Sequence, residues 1–287
     1  MNGKEVMRTI GIITKHGNEL AEKTANDIKE WLFQRELDVW LHDSNLEDVS
    51  LESFPPTQLV LVLGGDGTII SVSRRILPLH TPVVGVNFGR VGFLAELTEN
   101  TWQTSLEKAL TKGLNVESRL VLHYSLMRGG VCISEGDVIN DVVITRGKTA
   151  RLVRLDLALD NEPLMQLRSD GLIISTPTGS SGYACSAGGS LLEPTLDAYI
   201  VASICPFLNV FSPLVLRGGA EFEVKLPDSS LDLYLTLDGQ ETIALEANDC
   251  IRVQRSANDF LLANMDLEGY GKRLRRAGFI GDLGVLD

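Results

Sequence analysis

Hydrophobic positions in the first third of the chain fall in two alternating patterns. An apolar run over Gly11–Thr14 reads as a strand, and Ala21, Ala25, Ile28 and Leu32 recur at helical spacing along one face. Asp38–His42 returns to a strand pattern, which makes a βαβ unit from Thr9 to His42. Residues 43–57 are polar, carry Pro55 and Pro56, and predict a loop. Leu59–Leu63 is apolar without a break, the pattern of a central strand covered on both faces. A glycine turn, a short helix through Ile76, a strand over Pro82–Val86 and a helix over about Thr101–Lys112 continue the alternation. Strand and helix in strict alternation predict a parallel α/β sheet.

Past Gly113 the period changes. Leu155, Leu157 and Leu159 alternate with Arg154, Asp156 and Asp160, and Leu231–Leu237 alternates likewise, so short half-buried strands are expected. The predicted fold class is an α/β N-terminal domain with a parallel sheet, residues 1–113, followed by a β-rich domain, residues 114–262. Residues 263–287 are expected to pack back on the first domain, with a helix over Glu268–Arg276.

Composition narrows the choice of partners. The 287 residues carry 38 Asp plus Glu against 26 Lys plus Arg, a net charge of −12, which repels nucleic acid and anionic membranes. Neither is expected as a partner. A small phosphorylated ligand remains compatible, because backbone N–H groups at a helix start hold phosphates without basic side chains. Cys132, Cys185, Cys205 and Cys250 form no CxxC pair, and no metal-ligating residues are assigned. No export signal or run of 18 apolar residues is read in the sequence, so a cytoplasmic location is expected.

Candidate chemistry begins at Gly64, Gly65, Asp66, Gly67 and Thr68, where an apolar strand ends and a helix starts. That is the carboxyl edge of a parallel sheet, where open α/β folds bind ligands. Glycines there admit a phosphate, and the helix start adds N–H donors and a positive dipole end. A carboxylate among phosphates needs another task, such as taking a proton from an attacking hydroxyl or helping to hold Mg²⁺. The plain alternative is a tight turn with Asp66 as a helix cap.

The second constellation is Arg168–Gly189, RSDGLIISTPTGSSGYACSAGG. Thr176, Thr178, Ser180 and Ser181 supply hydroxyls, Tyr183 offers a ring face to a base, and Gly188 and Gly189 are a flexible pair. Composition alone also suits a surface loop. Tyr183 stands where a GxSxG elbow would need its last glycine, and Gly147, Lys148 and Thr149 lack the upstream glycine of a P-loop.

GGDGT, the Asn140–Asp141 pair, SDGLIISTPTGSSGYACSAGG and Asp238–Gly239–Gln240 follow one another as in NAD kinases, and the chain resembles that family over nearly its whole length. GGDGT alone is shared with diacylglycerol kinase, sphingosine kinase and phosphofructokinase relatives; the second motif is narrower. The resemblance implies a two-domain kinase, a homotetramer or homodimer, that uses Mg²⁺ with ATP and holds its substrate NAD between the domains.

By position, Asp66 resembles the catalytic base for the ribose 2′-hydroxyl. Gly64, Gly65 and Thr68, with Gly188 and Gly189, are expected at the phosphates of ATP, and Gly67 at the same turn and at NAD. Asn140 and Asp141 correspond to an Asn-Glu pair that grips adenosine, and Asp170 to a residue at the nicotinamide end. Ser181, Gly182, Tyr183 and Ser186 line the dinucleotide, Asn87 and Phe88 add pocket wall, and Asp238 and Gln240 complete the NAD-binding set. The chain departs from the family pattern at Asp141, at Ser181–Gly182 in place of Thr-Ala, and at Phe207 and Ser212, where His and Arg are common.

The alternatives are a lipid or sugar kinase of the GGDGT group and a catalytically weak NAD(P) sensor. His16, His42, His80 and His123 lie outside the motifs and receive no role; Trp31 and Trp40 are expected to pack. Lys272, Arg273, Arg275 and Arg276 are expected on a solvated helix face.

Overall fold

The computed structural model describes residues 8–45, 50–89, 92–148, 151–209, 211–227, 232–265 and 269–281. The chain divides into two compact units, residues 1–117 with 261–287, and residues 118–260.

The first unit contains β1 (Thr9–Thr14), α1 (Glu19–Phe33), β2 (Asp38–Asp43), β3 (Leu59–Leu63), α2 (Asp66–Ile76), β4 (Val83–Asn87), β5 (Ala95–Thr98) and α3 (Trp102–Lys112). Its strands are parallel in the order β5-β4-β3-β1-β2. All five residues of β3 are buried, which accounts for its unbroken apolar run. On one face Leu59, Leu61 and Leu63 pack with Ala21, Ala25, Ile28 and Leu32 of α1 and with Leu106 of α3. There Trp31 meets Trp102 edge-on at 5.7 Å. On the other face α2 comes so close that a Cβ at Gly85 would collide with Ile69. Each fully buried aliphatic side chain contributes about 1.5–3 kcal/mol, so burying both faces fixes the register of β3.

Two strands are long, β6 (Asn115–Arg128) and, at the far end of the second unit, Cys250–Asn264. In them the chain leaves the first unit and returns to it. The second unit continues from β6 through β7 (Val131–Val138), β8 (Asp141–Arg146), β9 (Val153–Leu159), β10 (Glu162–Ser169) and β11 (Gly171–Ser175). The one-turn helix α4 (Tyr183–Ser186) precedes β12 (Ala198–Ile204), β13 (Leu214–Arg217), β14 (Phe222–Lys225), β15 (Leu233–Leu237), β16 (Glu241–Leu245) and β17 (Cys250–Asn264). Strands β13-β12-β11-β8-β15-β16 form an antiparallel sheet. Its inner residues, among them Ile144, Ile174, Tyr199 and Leu235, share one core with Leu122 of β6, Leu155 of β9 and Phe222 of β14. Alternation in β9 and β15 therefore reads as expected, with Leu231 outside the described residues.

The expected C-terminal helix is α5 (Tyr270–Arg276), with Glu268 outside the described residues. One expectation fails there: Arg273 is buried, its guanidinium paired with Glu96 of β5 at 2.6 Å. Helix periodicity could not show it, because the partner that brings Arg273 inside lies in a strand nearly two hundred residues earlier.

Candidate active site

In the first unit the chemistry gathers at the carboxyl edge of the parallel sheet. Leu63 of β3 pairs with Val86 of β4, so the glycine turn and Asn87 leave the sheet side by side. The Gly64 N–H donates to the Val86 carbonyl at 2.9 Å, which ties the turn to its neighbour. A Cβ at Gly64 would stand 2.7 Å from the Thr68 side chain. Gly65 and Gly67 differ. Neither has a positive φ, and a Cβ on either would meet nothing within 4 Å. The fold itself does not require glycine at those two positions, although glycine in a helix costs about 0.5–1 kcal/mol relative to alanine. Open space beside the start of a helix suits an anion that needs the backbone close.

Asp66 is the first residue of α2. Its carboxylate accepts the backbone N–H groups of Phe93 at 2.7 Å, Leu94 at 3.2 Å and Ala95 at 3.2 Å. A Cβ at Gly92 would collide with that carboxylate. The side chain is thus neither loose in solvent nor a cap for its own helix; it is held by the residues that lead into β5 and by the first residue of that strand. Three of a carboxylate's roughly four lone-pair positions are occupied, and about one remains. Asn87 is 8% exposed, and its Oδ1 accepts the Gly89 N–H at 3.1 Å. Phe88 packs against the core of the same unit.

In the second unit three motif segments meet at one end of the antiparallel sheet. Register places Asp141 opposite Ser175 and Val142 opposite Leu237, so the start of β8 adjoins the ends of β11 and β15. Asp238, in the left-handed region at φ 52, turns its carboxylate back onto β8. It accepts the N–H groups of Ile139 at 3.1 Å, Asn140 at 2.7 Å and Asp141 at 3.2 Å. Thr176 donates its hydroxyl to the Ile139 carbonyl at 2.6 Å and its N–H to the Asn140 carbonyl at 2.9 Å. A Cβ at Gly179 would collide with that Asn140 carbonyl.

This corner leaves polar groups without partners. Asn140 Oδ1 and Thr178 Oγ1 are buried and make no hydrogen bond among the described residues. Burial, and then the nearby Asp238 carboxylate, push the Asp141 carboxyl from 3.8 up to about 7. Unsatisfied buried polar atoms cost about 1–3 kcal/mol each, so such a corner suits a ligand rich in hydrogen-bonding groups.

The loop after β11 is anchored by Ala184 and Leu192, which pack on Val143, Ile173 and Ile200 of the sheet. Gly182, Tyr183 and Ser186 are exposed, Tyr183 at 46%, with Ser181 partly exposed beside them. Gly188 and Gly189, expected at phosphates, have tasks within the chain. Gly188 ends the α4 turn at φ 86, and a Cβ at Gly189 would stand 2.7 Å from the Ala184 carbonyl.

Asp170 is not part of this corner. It precedes β11 and Thr176 follows it, so about six residue steps separate the two, roughly 20 Å at the rise of an extended strand. Both its oxygens are engaged by Arg146, at 2.7 and 3.1 Å. Nearby in sequence, the Arg168 guanidinium lies 5.2 Å from the centre of the Phe207 ring. Gln240 is exposed in the turn between β15 and β16, its N–H bonded to the Leu237 carbonyl at 2.9 Å. A groove of about 750 Å³ lies elsewhere, lined by Phe33, Leu37 and Val39 near the amino edge of the parallel sheet. It holds none of the candidate residues.

Two groups were missed from the sequence. The amides of Phe93–Ala95 carry no side-chain signature; the one signal in the sequence is Gly89 and Gly92, turn-forming residues that follow an apolar strand. Arg146 sits in an apolar strand, and only pairing across the sheet reveals its partner.

Residues 53–114 match the model of the ATP-NAD kinase N-terminal domain, and residues 139–265 match that of the ATP-NAD kinase C-terminal domain. An NAD kinase from Nitratidesulfovibrio vulgaris (strain DSM 19637 / Miyazaki F) is 44% identical over 96% of this chain and 98% of its own. The chain belongs to the NAD kinase family. An NAD kinase from Oleidesulfovibrio alaskensis is 40% identical over 96% of this chain and 94% of its own. Among solved structures, the fold is similar to that of yeast NADH kinase complexed with NADH, with a TM-score of 0.84, 22% identity and coverage of 99% and 91% of the two chains. It is also similar to an NAD kinase from Archaeoglobus fulgidus in complex with ATP, with a TM-score of 0.71, 25% identity and coverage of 95% and 100%. Membership in this family agrees with the two-domain α/β and β-rich fold expected from the motifs. These likenesses lend no support to a lipid or sugar kinase or to a sensor.

Proposed function

We infer that the chain transfers the terminal phosphoryl group of ATP to the 2′-hydroxyl of the adenosine ribose of NAD, giving NADP. One observation carries the chemistry: Asp66 is held by three amides at a helix start whose glycines leave open space beside it. Phosphoryl transfer asks a protein mainly for positioning and charge stabilisation, because the transition state is loose. The start of α2 at Gly65–Thr68 meets the phosphates with backbone and dipole. Asp66 takes the hydroxyl proton on its remaining lone pair.

Asn140 and Asp141 grip the adenosine moiety. Asn140 Oδ1 and the Asp141 carboxylate accept from its hydroxyl or amino groups, and Asp238 fixes the peptide that carries both. Tyr183 offers its exposed ring to a base, with Ser181, Gly182 and Ser186 beside it. The Asp170–Arg146 pair lies far enough along the sheet to meet the nicotinamide end. Mg²⁺ enters as part of the donor, the magnesium complex of ATP. An ion that arrives on phosphates asks for one or two protein carboxylates at most. Among the described residues no group of three or more His, Cys, Asp or Glu side chains could hold a metal ion alone.

The same reading takes the enzyme as a cytoplasmic homodimer or homotetramer. Support for assembly is the exposed Val131 and Ile133 on β7 and Leu164 on β10, strands that, among the described residues, each pair on one side only. Among the described residues, no helix is long and apolar enough to cross a membrane.

Incubation of the purified protein with ATP, Mg²⁺ and NAD, followed by assay of NADP, tests the reading. Turnover on the order of 1–100 s⁻¹ is expected. Binding of NAD with no NADP from ATP or polyphosphate would favour the sensor instead.

A further inference from the structure

The amides that hold Asp66 are themselves held from behind. Phe93, Leu94 and Ala95 lie between Gly92 and Glu96, and Met265, Arg273, Arg276 and Phe279 secure both ends of that stretch. Glu96 is 5% exposed in its side chain and accepts from Arg273, 7% exposed, at 2.6 Å. Its other oxygen accepts the Met265 N–H at 2.9 Å. At the opposite end Arg276 donates to the Gly92 carbonyl at 2.8 Å, and the Phe279 ring packs on Phe93 with centres 5.7 Å apart.

We propose that α5, through Arg273 on Glu96 and Arg276 on Gly92, is a positioning device for Asp66. This rests on the reading of Asp66 as the base. The path is short: guanidinium to strand, strand amides to carboxylate, carboxylate to the ribose hydroxyl. A buried ion pair is a poor source of stability, since apolar replacements of similar volume are often neutral or better. What it does supply is a fixed geometry, and here the geometry fixed is that of three N–H vectors converging on one side chain. Arg273 and Arg276 touch no reacting atom; they act through the backbone of residues 92–96.

The test is a double-mutant cycle with kinetics. Arg273→Met and Arg276→Met are each made in the native chain and in Asp66→Asn, with Arg273→Lys as the conservative control. Thermal unfolding of every variant locates a temperature at which it is folded. In the native chain Arg273→Met is expected to lower kcat about 10- to 100-fold, the scale of a misplaced catalytic group, with KM for NAD and for ATP nearly unchanged. Arg273→Lys should recover part of the loss, and Arg276→Met, at an exposed position, should show a smaller loss of the same kind. In Asp66→Asn neither change should cost anything further, because the group they position is gone.

Unchanged kcat in both folded arginine variants overturns the proposal, as does a loss of equal size in the Asp66→Asn background. If Arg273→Met does not fold, Arg276→Met decides by the same criteria. Full turnover by Asp66→Asn would instead overturn the assignment of the base, so the two failures are distinct.

Discussion

Asp238 accepts the backbone N–H of Asp141 at 3.2 Å, and its charge, second to burial, helps push the carboxyl of that residue up to about 7. The carboxylate that secures the strand thus makes its neighbour reluctant to ionise. A hydroxyl or amine of adenosine donating to Asp141 favours the ionised form, so NAD binding near pH 7 should release protons. Calorimetric titrations in phosphate and in Tris should give different apparent enthalpies for the native chain and matching ones for Asp141→Asn. Equal enthalpies for the native chain would remove Asp141 from the binding site.

The same shift gives a stability profile for the unliganded protein. Asp141 holds its proton more tightly folded than unfolded, so its contribution is intact below about pH 4 and is lost as pH rises toward 7. Thermal unfolding of the native chain should fall over that window relative to Asp141→Asn. A parallel dependence in the two proteins would contradict the shift.

Asp238→Ala leaves three N–H groups of the β7–β8 connection without their acceptor, at about 1–3 kcal/mol for each that water does not reach. Both the unfolding temperature and the affinity for NAD should drop. Asp238→Asn keeps one oxygen acceptor and tolerates the left-handed backbone, so it should be milder. It should also return Asp141 toward its usual range, which the buffer experiment above would show as reduced proton release.

Gly67→Ala separates ligand space from fold. A methyl group there meets nothing within 4 Å and sits in a helix, so stability should hold or rise by up to about 1 kcal/mol. Turnover with ATP should fall, because the methyl enters the space assigned to phosphate. Lost stability with retained activity would reverse the assignment.

Much of this architecture could be read from the chain itself. The unbroken Leu59–Leu63 run, the glycine turn behind it and the alternating leucines of β9 each follow from local period and burial. The placement of Asp66 at a sheet edge needed nothing more. What stayed hidden depends on contacts distant in sequence. Asp66 is held by main-chain amides near residue 94, and Asp238 by amides near residue 140, and an amide is the same in every sequence. Arg273 had the look of a solvated helix residue because the strand that receives it lies 177 positions away. Gly188 and Gly189 resemble a phosphate loop in composition, yet backbone turns account for both.

As the proposed base, Asp66 takes the ribose proton while fixed by Phe93, Leu94 and Ala95. Asp66→Asn turns an amide group toward one of these N–H donors, so some loss of stability is expected and the assay belongs well below its unfolding temperature. The decisive measurement is NADP formation by this variant at saturating ATP and NAD, with NAD affinity determined in parallel. Turnover should be lower by about 10²- to 10⁴-fold with NAD still bound. Undiminished turnover in the folded variant would contradict it and leave Asp66 a structural residue.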